Sequence, residues 1–188
     1  MYQRDVGILK EYGKTREGFN AIATFAILSA NQPFIAMKAQ MDGVRMNGET
    51  SVYLYGAKRK GYQYLHMNAY PSDNKSWNLH DKLFDISRIP ALGLVKSAFV
   101  AQMLGENVGC LDTHNLVKCG LEYSDVRLRK DLSINNQLGR VDKYIRCAHY
   151  YGNAEWWWNQ WCEAMAKPGT SLDTADKVSA FHVTAVMG

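Results

Sequence analysis

One aspartate stands where a side chain could act on a bound substrate. Asp112 lies in the sequence Cys110-Leu111-Asp112-Thr113-His114, after a loop that begins at Gly105. An ionised carboxylate can take a proton from an attacking water, or it can stabilise positive charge that develops on a reacting carbon. Asp is also a favoured N-cap, so Asp112 can equally begin the next helix. The two roles are compatible, and we expect Asp112 to serve in an active site.

A second candidate is the turn Ile89-Pro90-Ala91-Leu92-Gly93, which separates two segments with helical spacing of apolar residues. In a helix, tight turn and helix, the backbone N–H groups of the turn and the positive end of the second helix can hold a nucleic-acid phosphate without reading sequence. A glycine lets the backbone approach closely. The expected contacts are Pro90, Leu92, Gly93 and Val95.

Three segments together resemble the helix-hairpin-helix DNA glycosylases, the endonuclease III superfamily. Ile27-Leu28-Ser29-Ala30-Asn31 is similar to the family's Leu-Leu-Ser-Ala-Gln segment, and the turn at 89–93 and Leu111-Asp112-Thr113-His114 follow in the family's order. The resemblance covers roughly residues 19–120. It implies a mostly α, two-lobed fold forming one unit over residues 1–188, with the hairpin at about 76–104 and an active-site loop at 105–114.

The same resemblance implies an enzyme of base excision repair that binds double-stranded DNA, flips a nucleotide and hydrolyses its N-glycosidic bond. Asp112 would face the sugar C1′, where a carboxylate stabilises the oxocarbenium-like state or deprotonates a water. Asn31 or Gln32 would fill the gap left by the flipped base, because an amide both donates and accepts hydrogen bonds. Alternatively, these residues end one helix before Pro33 starts the next. His114 is a candidate DNA contact, with an ordinary hydrogen-bonding role as the alternative.

The chain departs from the family at the position of a catalytic lysine. Members with lyase activity carry a lysine two residues after the second hairpin glycine, where this chain has Val95, and Lys96 follows one residue late. One residue turns a helix by about 100°, so Lys96 is a nucleophile only if the turn contains an insertion. Otherwise Lys96 contacts a phosphate or solvent. We therefore expect a monofunctional glycosylase. A second departure is Ala91, which stands where the family usually has a glycine and makes the close approach of a phosphate to the turn less favourable.

Cysteine spacing predicts that the protein has no cofactor. Cys147 and Cys162 are 15 residues apart, while Cys110 and Cys119 lie elsewhere, so four closely spaced thiolates for an iron–sulfur cluster are missing. No Cys or His pair has the short spacing of a structural zinc site. Irregular cysteines and an N-terminus unlike a signal peptide favour an intracellular protein with reduced thiols, in the cytoplasm or nucleoid, or in the host cytoplasm if the chain is viral.

The net charge of the chain does not by itself identify a binding partner. A net charge of +4 over 188 residues is too small for a purely electrostatic coat on nucleic acid. The apolar stretch at 19–30 is too short to span a membrane. We expect the protein to be a monomer. The positive excess is densest at 114–150, which forms either a phosphate-facing surface or a solvated helix face. The basic residues there are Lys118, Arg127, Arg129, Lys130, Arg140, Lys143 and Arg146.

Apolar periodicity predicts the helices that must position these residues. They are expected at about 19–28, 34–46, 76–87 with Ser76 as N-cap, 94–104, along most of 114–151, and around Trp156 to Trp161. Residues 47–75 form either a short hairpin or a loop plus one helix. The tryptophans pack in the core, or one of them stacks on a base. The last 20 residues are expected to be a loosely packed tail.

Two other functions stay open. Some bacteriophage enzymes that hypermodify thymine in DNA, the pyrophosphorylase or amino acid:DNA transferase group, share this fold and flip a base without cutting its glycosidic bond. The displaced lysine and the missing cluster fit such an enzyme, in which Asp112 would activate an incoming amine or hold the flipped nucleotide. A non-catalytic DNA-binding module is the third possibility.

Overall fold

The computed structural model describes residues 1–30, 32–68, 78–129 and 131–188, without the side chains of residues 113 and 114. Over these ranges it contains helices and no strands, which confirms a mostly α fold. None of these helices is long and apolar enough to cross a membrane. The helices are α1 (Tyr2–Tyr12), α2 (Arg16–Leu28), a 3-10 turn (Phe34–Ala36), α3 (Met37–Asn47), a second 3-10 turn (Gly48–Thr50), α4 (Gly56–Met67), α5 (Leu79–Ser87), α6 (Leu94–Met103), α7 (Thr113–Lys118), α8 (Tyr123–Val126), α9 (Ile134–Tyr151), α10 (Ala154–Met165) and α11 (Ala175–Met187).

Helix α2 lies at the centre of the larger of two hydrophobic clusters. Ten of its thirteen residues are buried, so the helix is apolar nearly all round, as expected for a helix packed on several sides. It contacts α3, α4, α6 and α11. Because α2 is buried on several sides, its C-terminal end is held in place. This end leads into the candidate DNA-contacting segment around Ser29 and Gln32.

A second hydrophobic cluster surrounds α9. Tyr144 and Val141 of α9 are fully buried there together with Leu83 of α5 and Leu111 from the segment before α7. Helix α6 contributes to both clusters, because Leu94 and Ala98 belong to the cluster around α9 while other α6 residues belong to the larger one. The helix after the predicted turn is therefore held from two sides.

The start of α5 differs from the sequence prediction. The helix begins at Leu79 and Asn78 is its N-cap, with the Asn78 side chain accepting a hydrogen bond from Asp81 N at 2.9 Å. The proposed cap, Ser76, lies outside the described residues. The prediction was wrong about this boundary because Ser and Asn are both good caps, and sequence spacing does not choose between neighbouring candidates.

The segment at 47–75 contains a loop plus one helix, the second of the two alternatives. Helix α4 packs directly against the turn between α5 and α6, because a Cβ added at Gly61 would lie 2.2 Å from Pro90 O. Only a glycine permits this contact between helix and backbone. Residues 69–77 lie outside the described ranges.

The C-terminal residues are not a loose tail, so that expectation was wrong. Helix α11 packs against α1, α3 and α10, and Val178, His182 and Val186 are fully buried. The polar residues of α11 find partners in distant helices, since Ser179 Oγ donates to Asp5 Oδ2 at 2.6 Å. Residues 5 and 179 are so far apart in the sequence that local patterns could not predict this contact.

The turn between α5 and α6 carries local strain at Ala91. Leu92 N donates to Ile89 O at 3.0 Å, with Pro90 and Ala91 at the two central positions, and Ala91 has φ of +69°. This is the geometry of a type II turn, whose third position favours glycine. Ala91 is the single non-glycine residue with positive φ among those described.

Replacing Ala91 with glycine is expected to raise the free energy of unfolding by about 1 kcal/mol, because a side chain in the left-handed region costs roughly that much. Chemical denaturation would measure the change. The matched control is Ala39→Gly on the exposed face of α3, where the same replacement is expected to lower stability by about 1 kcal/mol. Equal destabilisation by both replacements would contradict strain at Ala91.

Candidate functional site

A cavity of about 250 Å³ brings together Ser29 and Asp112, from two of the three segments singled out in the sequence, and Lys96 of α6; the turn at 89–93 itself does not line it. We call it the aromatic pocket. Its apolar lining consists of Phe25, Phe34, Met37, Phe99, Trp157, Trp158, Trp161 and Met165. Its polar lining consists of Ser29, Gln32, Lys96, Gln102, Cys110 and Asp112. Residues far apart in sequence thus form one site with a few polar groups on an aromatic surface, which is the usual character of a small-molecule pocket.

Asp112 begins a helix and also lies at the aromatic pocket. It lines the aromatic pocket, and it is the N-cap of α7, with Oδ1 accepting a hydrogen bond from Asn115 N at 2.9 Å. The cap uses one carboxylate oxygen. Among the described residues Oδ2 has no hydrogen-bond donor, so one oxygen remains free to act on a ligand.

Two buried side chains hold the backbone just before Asp112. The Tyr144 hydroxyl accepts from Leu111 N at 2.7 Å and donates to Gly109 O at 3.0 Å. Gln102 Oε1 accepts from Cys110 N at 3.3 Å. Burial raises the pKa of Tyr144 well above its ordinary value, so the hydroxyl keeps the proton that it donates.

Neither the role of Tyr144 nor that of Gln102 was predicted from the sequence. Tyr144 follows Val141 by three residues on an apolar helix face, a pattern that predicts only core packing. Gln102 occupies a helix whose other residues are mostly apolar, and its second bond, from Nε2 to Ala154 O at 2.8 Å, reaches α10. A polar residue inside an apolar helix was the one available signal.

Lys96 faces the aromatic pocket, although it stands one residue later than the family's lysine. Its Nζ donates to Ser29 Oγ at 2.6 Å and lies 5.8 Å from the centre of the Phe99 ring. Burial lowers the pKa of Lys96, while the nearby Cys110 and Asp112 oppose that shift. Val95 instead packs against the cluster around α9. The side chain in the pocket is therefore that of Lys96.

Cys110 is a poor nucleophile despite its place in the pocket. Burial raises the pKa of its thiol to about 12, so the thiol stays protonated at neutral pH. Its Sγ lies 3.7 Å from Val95 O and donates to that carbonyl.

The C-terminal end of α2 is held by charged and amide side chains. Lys58 Nζ donates to Leu28 O at 3.0 Å and to Ala30 O at 3.3 Å, a favourable place for a cation because helix carbonyls point outward there. Gln32 lines the aromatic pocket, and its Oε1 accepts from Gln40 Nε2 at 2.9 Å. Asn31, the other candidate for filling the gap in DNA, lies outside the described residues.

The turn before α6 presents one of its predicted DNA contacts and hides another. Gly93 is exposed and is the N-cap of α6, which has no side chain capping its first N–H groups. Leu92 was a wrong choice, because its side chain is only 1% exposed and its N–H is already bound within the turn. Pro90 is half-buried beside α4. His114 belongs to α7, and its side chain lies outside the described set.

Three of the seven basic residues at 114–150 form contacts within the protein. Lys143 forms an ion pair with Asp125 at 2.8 Å, and Arg129 pairs with Asp131 at 2.5 Å. Arg140 donates to backbone carbonyls near α8. These contacts favour the solvated-face interpretation for three of the residues, whereas Lys118, Arg127 and Arg146 are exposed. Lys130 lies outside the described residues.

A histidine that the sequence did not single out supports the back of the aromatic pocket. The His182 ring lies 4.4 to 5.9 Å from the centres of five rings that line the pocket. Its Nδ1 lies 3.1 Å from Val178 O, and its buried Nε2 has no partner among the described residues. Burial lowers the pKa of His182 to about 4, so the ring is neutral at pH 7.

The tryptophans of α10 pack in the core and also form the pocket wall. Trp157 and Trp158 are each 2% exposed, and their indole N–H groups donate to Ala148 O and Ser179 Oγ. Trp161 is half-buried, whereas Trp156 is exposed. Among the tryptophans of α10, Trp156 is the one exposed enough to stack on a base outside the pocket.

Comparison with known proteins adds no relative. No family model, no curated protein and no solved structure matches this chain.

Proposed function

We propose that the protein is a DNA-binding enzyme that flips one nucleotide into the aromatic pocket and hydrolyses its N-glycosidic bond. One observation carries the proposal: Asp112 lines a cavity whose other walls include six aromatic rings, and only one of its carboxylate oxygens is used by the helix cap. A flipped base is held in this way, by stacking between aromatic side chains and by hydrogen bonds to its edge.

The pocket has a suitable size for one base. A dry cavity of about 150 Å³ binds benzene, so about 250 Å³ accommodates a heterocycle with substituents. The two-lobed arrangement of the helix-hairpin-helix family is part of this proposal. In it, the larger cluster around α2 and the cluster around α9 correspond to the two lobes, and the pocket draws residues from both.

The reaction requires one water and one carboxylate. The bond between C1′ and the base nitrogen breaks, and its electron pair leaves with the base. The Asp112 carboxylate stabilises the positive charge on the sugar and accepts a proton from the water whose oxygen bonds to C1′. The departing base then takes up one proton. Lys96 contributes hydrogen bonds from Nζ and forms no covalent bond to the sugar, in keeping with a monofunctional hydrolase.

A panel of duplexes tests the proposal directly. Duplexes that carry uracil, oxidised bases, mismatches or phosphorylated hydroxymethyluracil would be incubated with the protein and analysed by mass spectrometry. We expect an abasic product from at least one of them. A base of altered mass would contradict hydrolysis in favour of the hypermodification enzyme, and bound but intact DNA would support the non-catalytic module. Trapping of a covalent adduct on Lys96 with borohydride would replace hydrolysis with a lyase reaction.

Gly93→Val tests the phosphate contact at the start of α6. A Cβ at Gly93 would meet no atom closer than Tyr123 Oη at 3.8 Å, and φ of −71° suits any residue, so the variant should fold normally. We expect its affinity for duplex DNA to fall about 10- to 100-fold at moderate salt, because a hydrogen bond to a charged group is worth roughly 1.5–3 kcal/mol. Fluorescence anisotropy would measure the affinity. Unchanged binding would exclude Gly93 from the DNA interface.

A further inference from the structure

Most hydrogen-bonding groups of the aromatic pocket are already used within the protein. Both ends of the Gln102 amide are engaged, as described above. The indole N–H groups of Trp157 and Trp158 donate to Ala148 O and to Ser179 Oγ, each at 2.9 Å. A ligand in the pocket must therefore be recognised by the polar groups that remain.

Two polar lining residues of the pocket, Gln32 and Lys96, keep N–H groups that have no partner among the described residues. We call Ser29, Gln32 and Lys96 the polar corner. Ser29 Oγ donates to Ala26 O at 2.9 Å and accepts from Lys96 Nζ. Gln32 Oε1 accepts from Gln40 Nε2 at 2.9 Å. The Gln32 amino group and the other N–H bonds of Lys96 are left for a ligand, so the polar corner offers hydrogen-bond donors.

We infer that the pocket takes a 2,4-dioxopyrimidine, the uracil and thymine class of base, with Gln32 as the residue that determines this specificity. The inference rests on the proposed function, because it names the base that is flipped. Carbonyl oxygens on the base edge match the donors of the polar corner. Cytosine carries an amino group at position 4 in place of a carbonyl oxygen. This amino group would lie against the N–H donors of the polar corner, and both it and those donors would then lack a hydrogen-bond acceptor.

The same donors suit the departure of this base. When the bond to C1′ breaks, the electron pair that stays on a dioxopyrimidine is shared with its carbonyl oxygens. The Nζ group of Lys96 and the amide of Gln32 stabilise that negative charge by hydrogen bonds in a pocket with mostly aromatic walls. The water oxygen bonds to C1′ and its proton passes to Asp112, so the step needs no other reactant.

Gln40 acts as a positioning residue for this specificity. It is 6% exposed on α3, does not line the aromatic pocket, and fixes the Gln32 amide by occupying Oε1. In a Gln40→Met variant the Gln32 amide is free to turn and to present either its oxygen or its nitrogen. The preference between bases should then weaken while the pocket lining stays the same.

Binding of free bases tests the inference without DNA or catalysis. Uracil and cytosine would be titrated into the full-length protein, with the fluorescence of the pocket tryptophans as the signal. We expect the Kd of uracil to lie at least about tenfold below that of cytosine, the value of one good hydrogen bond. Gln32→Glu, which presents only acceptors, should remove this preference, and Gln40→Met should reduce it. Asn136→Asp on the exposed face of α9 is the control and should leave both Kd values unchanged.

Several outcomes would overturn the inference. These are cytosine binding as tightly as uracil, uracil showing no saturable binding up to its solubility limit, or Gln32→Glu leaving the ratio of the two Kd values unchanged. The result is distinguishable from that of the duplex panel. Selective binding of uracil without abasic product would contradict only the proposed function. Abasic product solely from bases that lack two carbonyl groups would contradict only the inferred specificity.

Discussion

Replacing Asp112 with asparagine is expected to lower the rate of N-glycosidic cleavage by about 100- to 10,000-fold, the usual contribution of a positioned acid or base. The measurement is a single-turnover assay on whichever duplex yields abasic product. DNA affinity should change little, because the hairpin contact at Gly93 is untouched. Retention of the full rate would show that the carboxylate is not the reacting group.

This replacement separates the two roles of Asp112. Asn and Asp are equally good N-caps, so Asp112→Asn should keep the hydrogen bond to Asn115 N and leave the free energy of unfolding unchanged. Asp112→Ala should lose both the activity and about 1 kcal/mol of stability. Asp173→Asn is the matched control, since it removes an exposed carboxylate that pairs with Lys177 and should leave the rate unaffected.

Acidification is expected to destabilise the protein through His182. In the unfolded chain this histidine takes up a proton near pH 6.5, whereas burial lowers its pKa to about 4 in the folded protein. Between these values the unfolded state binds more protons, so stability falls as the pH falls. The loss should reach about 2 kcal/mol at pH 5 and about 3 kcal/mol below pH 4. Above pH 6.5 this histidine should contribute no pH dependence.

His182→Phe isolates this effect from other titrating groups. A phenyl ring suits the surrounding aromatic side chains and carries no titrating nitrogen, and it removes the buried Nε2 that has no partner. Denaturant unfolding at pH 7 and pH 5 should show the loss in the natural protein and a much smaller one in the variant. Parallel losses in both proteins would contradict the assignment to His182. Asp5, the nearby carboxylate, has a lowered pKa and contributes only at more acidic pH.

Local patterns in the sequence were sufficient for most of the helices. The apolar residues of α2 repeat at helical spacing, and Gly105 with φ of +82° ends the region of α6 as a glycine after a helix commonly does. Asp112 was recognisable for the same reason, because a cap is a local property of the chain. The wrong boundary at Ser76 shows the limit of such signals where two capping residues lie close together.

Roles that depend on distant partners could not be predicted. Leu92 was expected to contact DNA, yet its side chain is buried in the larger cluster. The spacing of Lys96 after Gly93 left open whether its side chain points toward the active site. The packing of α6 between the two clusters decides this and directs the Lys96 side chain toward Ser29. Gln32 was expected to fill the gap that a flipped base leaves in the DNA. In the structure its side chain lines the pocket, and its amide is held by a hydrogen bond from Gln40.

The sequence by itself determined that this protein is mostly helical and that Asp112 begins a helix after a loop, because periodicity and capping act over a few residues. The tertiary structure alone decided that Asp112, Lys96 and Gln32 line one aromatic pocket, and that α11 belongs to the core with His182 behind that pocket. The physical reason is that a pocket is formed by side chains from several helices. Their relative rotation depends on how the buried surfaces pack, and no short stretch of sequence records it.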